Sequence, residues 1–238
     1  IYDILRGFID TTGLYPVGRL DYDTTGCVLL TDNPDLIIAF ILPAGHVRKQ
    51  YRVLARGRVV SGDIATLMAG VDIPLPDGKM YCAKADDGLL LEATDESSSL
   101  DLWLSEGKFH QVKLMMGAVR HPVRRLHREC IGPISVAGMR EGEVRAIEGE
   151  ELARLLAAKD ESERRIIAQA EEDFNRTLRQ YIGLWHDHPE PVRQSASRRI
   201  KGLLCQDNEH LHQGIRVIAN MYKVAPELAD PIDEFLLA

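Results

Sequence analysis

Two carboxylates and an arginine precede an apolar run in the segment YPVGRLDYDTTGCVLLTD, residues 15–32. From such a position Asp21 can attack an electrophilic carbon, as carboxylates do in retaining glycosidases. The alternative is structural, because short motifs of this kind also arise where an aspartate caps a turn and pairs with Arg19 on the surface. Asp23 is a second carboxylate. It lies two residues after Asp21, and we expect it to face the other way, so that only one of the two carboxylates enters a given cleft.

A second group of polar residues opens a predicted helix in SEGKFHQVKLMM, residues 105–116. Lys108, His110 and Lys113 follow a glycine turn, and the free N–H groups of a helix N-terminus favour anions. Residues 105–132 hold six Lys or Arg against two acids, a net charge of +4, together with three histidines. The alternative interpretation of these residues is a solvated helix face.

Residues 46–58 form another basic cluster, with five Lys or Arg and no acid. The whole chain carries a net charge of -7, so nucleic acid would have to bind through a local basic face. Two basic clusters in an acidic chain indicate a phosphate-binding surface. Tyr51 lies within this cluster, where it either stacks on a base or packs in the core.

The composition predicts a cytoplasmic protein without a metal site or a membrane partner. With 238 residues, 45% of them hydrophobic, the chain can bury one large core or two small ones. Its four cysteines stand far apart without a CxxC pair, which predicts reduced packing thiols. No apolar run approaches the length of a membrane span, and the first residues lack the features of a signal peptide.

Short strands and short helices, which must position these residues, alternate up to about residue 160. Asn33 with Pro34 signals the start of one helix, and Ser61 and Gly70 bound another. Beyond residue 160 glycines become scarce and a long helical period begins, so we place a boundary between residues 1–159 and an all-α region, 160–238. Strands are predicted for CVLLTD, QYRVLARGRV, the antiparallel pair DGLLLEA and SLDLWLSEG, and RRLHRECIG, and further helices for HQVKLMMGAV and EGEELARLLAAK.

Four blocks of this sequence resemble the ribosomal-RNA pseudouridine synthases of the RsuA type: PVGRLDYDTTGCVLLTD, RKQYRV, LSEGKFHQVKLMMGAV and RRLHRECIGPI. They follow the order and approximate spacing of that family over roughly residues 10–156. The resemblance implies an α+β fold with a mixed, mostly antiparallel sheet, flanking helices and a central cleft. It also implies isomerisation of uridine to pseudouridine in ribosomal RNA, without metal or cofactor. The blocks HQVK and LHRE favour the small-subunit enzymes.

The resemblance also implies roles for individual residues. Asp21 matches the catalytic aspartate in GRLD, and Lys113 matches the basic residue that pairs with it and keeps it ionised. Tyr51 matches the tyrosine that packs on the target base and is a candidate for proton transfer. Arg19 matches the arginine that helps to hold the opened RNA. Further RNA contacts are predicted at Arg48, Lys49, Lys108, His110, Gln111, Arg125 and Arg128.

The sequence departs from the family pattern in several places. Leu114 stands where the family usually has another arginine, which we expect to reduce RNA affinity. Cys27 replaces a usual leucine, a change that a core tolerates. The strand with a Lys-Pro signature that normally precedes this region is not found, nor is the small RNA-binding module before it. We expect an open sheet edge to lower stability, and a catalytically inactive RNA-binding protein is the alternative function.

The region 160–238 has a less specific pattern. The segment SRRIKGLLCQDNEHLHQGIRVIANMY faintly resembles the small-molecule-binding helical domain of some MerR-type transcription regulators, although a helical tail packed on the catalytic domain is favoured. Apolar residues such as Ile166, Ile167 and Phe174 predict either a homodimer or ordinary packing. Four histidines pair at a spacing of two, which puts each pair on different helix faces, so no zinc site is predicted. These histidines are His186, His188, His210 and His212.

Overall fold

The computed structural model describes residue 5 and residues 10–187. By its internal contacts the chain divides into two compact units, residues 1–166 and residues 167–238. The boundary predicted at residues 159/160 stays a prediction, as does a dimer through the C-terminal helices. The MerR-like segment and three of the four histidines lie outside the described residues.

One six-stranded sheet organises the described part of the first unit. In chain order the strands are β1 (Tyr15–Pro16), β2 (Thr24–Gly26), β3 (Leu30–Thr31), β4 (Lys49–Arg56), β5 (Val71–Pro74), β6 (Met80–Ala83), β7 (Asp87–Ala93), β8 (Ser97–Leu104), β9 (Val123–Ile131) and β10 (Ile134–Ser135). The helices are α1 (Pro34–Ile41), α2 (Ser61–Ala69), α3 (Gln111–Ala118) and α4 (Gly149–Asp187), with a 3₁₀ turn at Pro43–Gly45.

The sheet is mixed and mostly antiparallel. Its strand order is β10-β9-β4-β8-β7, and neighbours along this path are antiparallel. β2 lies parallel to β9, outside that path. Two antiparallel pairs, β1 with β3 and β5 with β6, complete the described strands. The predicted α+β domain with a mixed, mostly antiparallel sheet and flanking helices is therefore confirmed.

Helix starts follow local capping chemistry. The Asn33 side chain accepts hydrogen bonds from the Asp35 and Leu36 N–H groups at 2.9 and 3.3 Å, which confirms the predicted start of α1. The predicted cap at Ser61 is wrong by one residue. Val60 is the N-cap of α2, and its N–H donates to the Asp63 carboxylate at 2.8 Å.

The larger apolar core joins the sheet to α3. Val53 of β4 is fully buried, together with Met115 and Met116 of α3. Tyr51, two residues before Val53 and so on the same face of β4, is half buried and packs against this cluster. Burial of one methionine side chain contributes about 1.5–3 kcal/mol. This packing therefore fixes α3, and with it Lys113, against the sheet.

A smaller apolar core holds the segment that precedes α1. Cys27 and Leu29 pack in one cluster with Phe40 of α1, Ile131 of β9 and Leu155 of α4. Cys27 is 1% exposed, and burial raises the pKa of its thiol to about 11. The prediction that Cys27 is accommodated as a core residue is confirmed.

Gly26 allows β2 to approach β9 closely. Its φ is +111°, and a Cβ atom there would lie 2.3 Å from the carbonyl oxygen of Arg128. The predicted strand CVLLTD is wrong in its extent. The Leu29 carbonyl accepts a hydrogen bond from the Val17 N–H at 2.9 Å, and only Leu30–Thr31 forms a strand, which pairs with β1. Within the described residues, no helix combines the length and apolar composition needed to cross a bilayer.

Candidate active site

Asp21 and Lys113 are in contact. The Lys113 Nζ lies 2.9 Å from Asp21 Oδ2 and also donates a hydrogen bond to Asp23. The Lys113 and Asp21 side chains are 21% and 27% exposed, whereas that of Asp23 is 71% exposed. One ammonium group is thus shared by a partly buried carboxylate and an exposed one.

The prediction that only one of the two carboxylates enters the site is wrong. Asp21 and Asp23 lie at a turn rather than in a strand, and the Thr24 N–H donates to the Asp21 carbonyl at 3.0 Å. This turn brings the carboxylates of two residues two positions apart to the Lys113 ammonium. Asp23 therefore reaches the same ammonium as Asp21.

The shared ammonium perturbs two ionisable groups. Burial lowers the pKa of Lys113, but its hydrogen bonds to Asp23 and Asp21 outweigh burial, so the pKa is raised. The hydrogen bond from Lys113 lowers the pKa of Asp23. Lys113 is therefore a cation, and Asp23 an anion, throughout the neutral pH range.

Arg128 of β9 holds the loop that carries Asp21. Its Nε donates to the Cys27 carbonyl at 2.8 Å, and its Nη1 donates to the Arg19 carbonyl at 3.1 Å. Arg128 is only 3% exposed. The guanidinium is buried and binds the protein backbone on both sides of Asp21, and the RNA contact predicted at Arg128 stays a prediction.

His110 lies beside Asp21 at the start of α3. Its Nε2 is 3.7 Å from Asp21 Oδ1, and its ring stacks on Phe109 with a centroid distance of 3.9 Å and an interplanar angle of 20°. His110 has a positive φ of 49°, a left-handed conformation that few non-glycine residues adopt. This conformation places the His110 ring next to the Asp21 carboxylate. The sequence indicated only that His110 lies in the predicted helix.

The entry to α3 is fixed by a hydrogen-bond network. The Gln111 side chain accepts from the Lys108 N–H at 2.7 Å and donates to Glu106 at 2.6 Å. The Tyr81 hydroxyl donates to Glu106 at 2.6 Å, which raises the pKa of Tyr81 to about 12. Gln111 is 4% exposed and is used in this network, and the RNA contact predicted for it stays a prediction. Lys108 lies 4.7 Å above the Tyr81 ring, a cation–π contact.

Much of the basic cluster at residues 46–58 is neutralised by carboxylates from later strands. Arg52 forms a two-pronged pair with Asp101, with both N–O distances 2.9 Å. Arg48 lies 3.9 Å from Asp86 and 3.6 Å from Asp87. The charge of Arg48, on which its predicted RNA contact rested, is therefore largely balanced within the protein.

Lys49 is not a freely solvated cation either. Its Nζ donates to the Val47 carbonyl at 3.1 Å, and burial, aided by the nearby charge of Arg128, lowers its pKa to about 8. A buried amine that donates to the backbone has little access to a phosphate from outside the protein. The structure thus weakens the predicted RNA contact at this position.

The structure also shows the surroundings of Arg19, Tyr51 and Leu114. Arg19 is exposed, and no ion pair joins it to another described residue. Tyr51 packs against the core cluster that contains Val112 of α3, the residue directly before Lys113. Leu114 is partly buried against the same cluster, so the residue at the position of the family's usual arginine serves packing.

Comparison with known proteins shows what this part of the chain is similar to. Residues 9–118 match the family model described as RNA pseudouridylate synthase. A solved crystal structure of a pseudouridylate synthase is 33% identical, with a TM-score of 0.55 and 64% of each chain covered.

Two curated relatives of this chain are named for different ribosomal subunits. Ribosomal small subunit pseudouridine synthase A of Escherichia coli is 36% identical over 144 residues, 60% of this chain. Ribosomal large subunit pseudouridine synthase B of Bacillus subtilis is 33% identical over 147 residues, 62% of this chain. The chain spans 59% of the length of each relative.

Sequence reasoning missed two features of the candidate site: the contact of Asp23 with the Lys113 ammonium and the buried position of Arg128. A signal for the second was present. Arg128 is two residues after Leu126 in a predicted strand and must face the same side, and Leu126 is 6% exposed. No local signal indicated Asp23, because its contact is with a residue 90 positions away.

Proposed function

We propose that this protein isomerises a uridine of ribosomal RNA to pseudouridine. The observation that carries the proposal is the contact of Asp21 with Lys113, at 2.9 Å within the residues that match the pseudouridylate synthase family model. The names of the two curated relatives support ribosomal RNA as the substrate class.

The reaction conserves all atoms and electrons. The bond from the ribose C1′ to the base N1 breaks, the base turns, and C1′ bonds to C5. The proton on C5 leaves, and N1 gains one. The target uridine must first be extruded from its stack, which costs a few kcal/mol, and this energy has to come from contacts with the rest of the RNA.

Asp21 acts from the sugar side of the extruded nucleotide. It either attacks C1′ or takes a proton from the adjacent C2′, and both routes need an ionised, rigidly held carboxylate. Lys113 holds that carboxylate at 2.9 Å. Tyr51 packs on the base and is the candidate for the proton transfer at C5. Arg19, which is exposed, contacts the opened strand.

We further propose the small-subunit RNA as the substrate. The blocks HQVK and LHRE resemble the small-subunit enzymes, and the Escherichia coli small-subunit synthase is one of the curated relatives. Because a large-subunit synthase is similarly close, the mapping of both RNAs is the decisive measurement.

The test is a map of pseudouridines in both ribosomal RNAs from cells with and without this gene. Wild-type protein should restore one missing site, and Asp21→Asn should reduce its formation about a hundredfold or more. Asp32→Asn is the matched control, since Asp32 is an exposed aspartate of the same segment. Full restoration by Asp21→Asn would contradict the assignment. RNA binding by the wild-type protein without any missing site would favour the inactive RNA-binding alternative.

A further inference from the structure

A small cavity adjoins the Asp21–Lys113 pair. It has a volume of about 220 Å³ and shares Lys113 and Asp23 with the site described above. Its other lining residues are Gly117, Pro122, Val123, Arg124, Arg125 and Leu126. Pockets that enclose drug-sized molecules span about 300–1,000 Å³, so this cavity suits a smaller group, such as a phosphate with part of its sugar.

Arg124 and Arg125 bring unbalanced charge to this cavity. Both are exposed, and no carboxylate among the described residues pairs with either. Some other arginines of the same unit are paired with carboxylates: Arg52 is bound by Asp101, and Arg58 by Asp95 at 2.8 Å. The two unpaired guanidinium groups are therefore available to an anion from outside the protein.

An irregularity in β9 brings both arginines to one cavity. In the pairing of β4 with β9, Leu54 is opposite Arg125 and Ala55 is opposite Val123, which leaves Arg124 without a partner. Consecutive side chains of a regular strand point to opposite faces. A bulge re-aims a side chain and is common next to active sites, which accounts for two successive arginines at the same lining.

Lys113 does not serve as the anion's ligand. Its ammonium is hydrogen-bonded to Asp21 and Asp23, two carboxylates that already exceed its charge. An anion in the cavity must therefore bind Arg124 and Arg125, which hold phosphate oxygens well because of their fork of N–H donors.

We propose that Arg124 and Arg125 bind, in this cavity, a phosphate of the RNA strand next to the extruded uridine. The proposal rests on the proposed function, since Lys113 lines the cavity and also contacts Asp21. A phosphate held here would fix the strand beside the reacting nucleotide and supply part of the energy for its extrusion.

The test is binding of a uridine-containing single-stranded RNA oligonucleotide to the full chain at several salt concentrations. Neutralising both residues in Arg124→Gln/Arg125→Gln should reduce the slope of log affinity against log salt by about 0.7, the value for one phosphate of a single strand. The variant Arg124→Lys/Arg125→Lys keeps the charge and should retain most of the slope. Arg140→Gln is the matched control, as Arg140 is 91% exposed and outside the cavity.

The proposal would be overturned if the double glutamine variant changed the salt slope no more than Arg140→Gln does. It would also be overturned if the double lysine variant lost the slope. In the modification assay the double glutamine variant should raise KM and leave kcat nearly unchanged. A fall in kcat with an unchanged KM would contradict a phosphate contact.

The two proposals fail separately. If wild-type protein modifies ribosomal RNA but the double glutamine variant behaves like Arg140→Gln, the phosphate site is wrong and the proposed function stands. If no ribosomal site depends on the gene but the arginine pair still sets the salt slope, the phosphate site stands and the proposed function is wrong.

Discussion

Arg128 and Cys27 are 101 residues apart in the chain and are joined by a hydrogen bond of 2.8 Å from the guanidinium to the carbonyl. A second bond from the same guanidinium reaches the Arg19 carbonyl, on the other side of Asp21. A single buried side chain of β9 thus fixes both ends of the loop on which the carboxylate lies.

Replacing Arg128 by Lys should lower stability and turnover together. One ammonium cannot serve both carbonyls with the geometry of a guanidinium, and a buried group left without its partner costs about 1–3 kcal/mol. Urea denaturation should show this loss, and pseudouridine formation should show a lower kcat with RNA affinity retained. Arg140→Lys is the exposed control. Loss of RNA affinity at unchanged kcat would instead make Arg128 an RNA contact.

Replacing Gly26 by Ala should separate β2 from β9. The added Cβ atom would lie 2.3 Å from the Arg128 carbonyl oxygen, and the φ of +111° is unfavourable for alanine. We expect the free energy of unfolding to fall by about 1–3 kcal/mol, measured by thermal or urea denaturation. Gly62→Ala should change little, since its nearest new contact is Val60 at 4.0 Å. Equal effects of the two changes would contradict the close approach of the strands.

Replacing Lys113 by Met should raise the pKa of Asp23. The hydrogen bond from Lys113 is the largest cause of the lowered pKa, and an NMR titration of the carboxyl carbon measures it directly. Lys84→Met, at an exposed lysine outside the site, should leave that pKa unchanged. A titration curve of Asp23 that is the same in wild type and in Lys113→Met would show that the pair does not form in solution.

The same pKa shift predicts a pH dependence of stability. The folded pKa of Asp23 is lowered, so its contribution is present above the unfolded value of about 3.9 and is lost as pH falls through the folded pKa. The difference in unfolding midpoint between wild type and Asp23→Asn should therefore shrink on acidification below about pH 4. A difference that stays constant from neutral to acid pH would contradict this linkage.

Cys27 should resist alkylation while Cys82 reacts. Burial raises the pKa of Cys27 to about 11, so very little thiolate is present near pH 8, whereas Cys82 is exposed. Mass spectrometry after timed iodoacetamide treatment of the native protein measures both rates. The unfolded protein is the control and should label at both positions at comparable rates. Rapid labelling of native Cys27 would mean that this core opens readily.

Local chemistry made part of the fold predictable. The Asn33 cap with Pro34 set the start of α1, and the alternation around Val53 identified the buried face of β4. The irregular backbone that follows Gly26, where the sequence predicted a strand, was not predictable. It depends on a backbone hydrogen bond between Leu29 and Val17. Signals within a few residues predict helix caps and the buried face of a strand. The pairing of strands also depends on partners elsewhere in the chain.

The candidate site divides in the same way. The sequence determined which residues are proposed to carry its chemistry. These are Asp21 in a glycine-bounded turn and Lys113 at the start of a helix, in blocks that resemble a known family. The tertiary structure decided which of the many cations are paired or buried within the protein. Arg52 pairs with a carboxylate 49 residues away in the chain, and Arg128 is buried against a loop. Arg124 and Arg125 are exposed and keep an unbalanced charge, which depends on the fold and could not be inferred from the sequence. The sequence specifies the charge of a side chain, but its solvation and its ion-pair partner depend on which strands lie beside it.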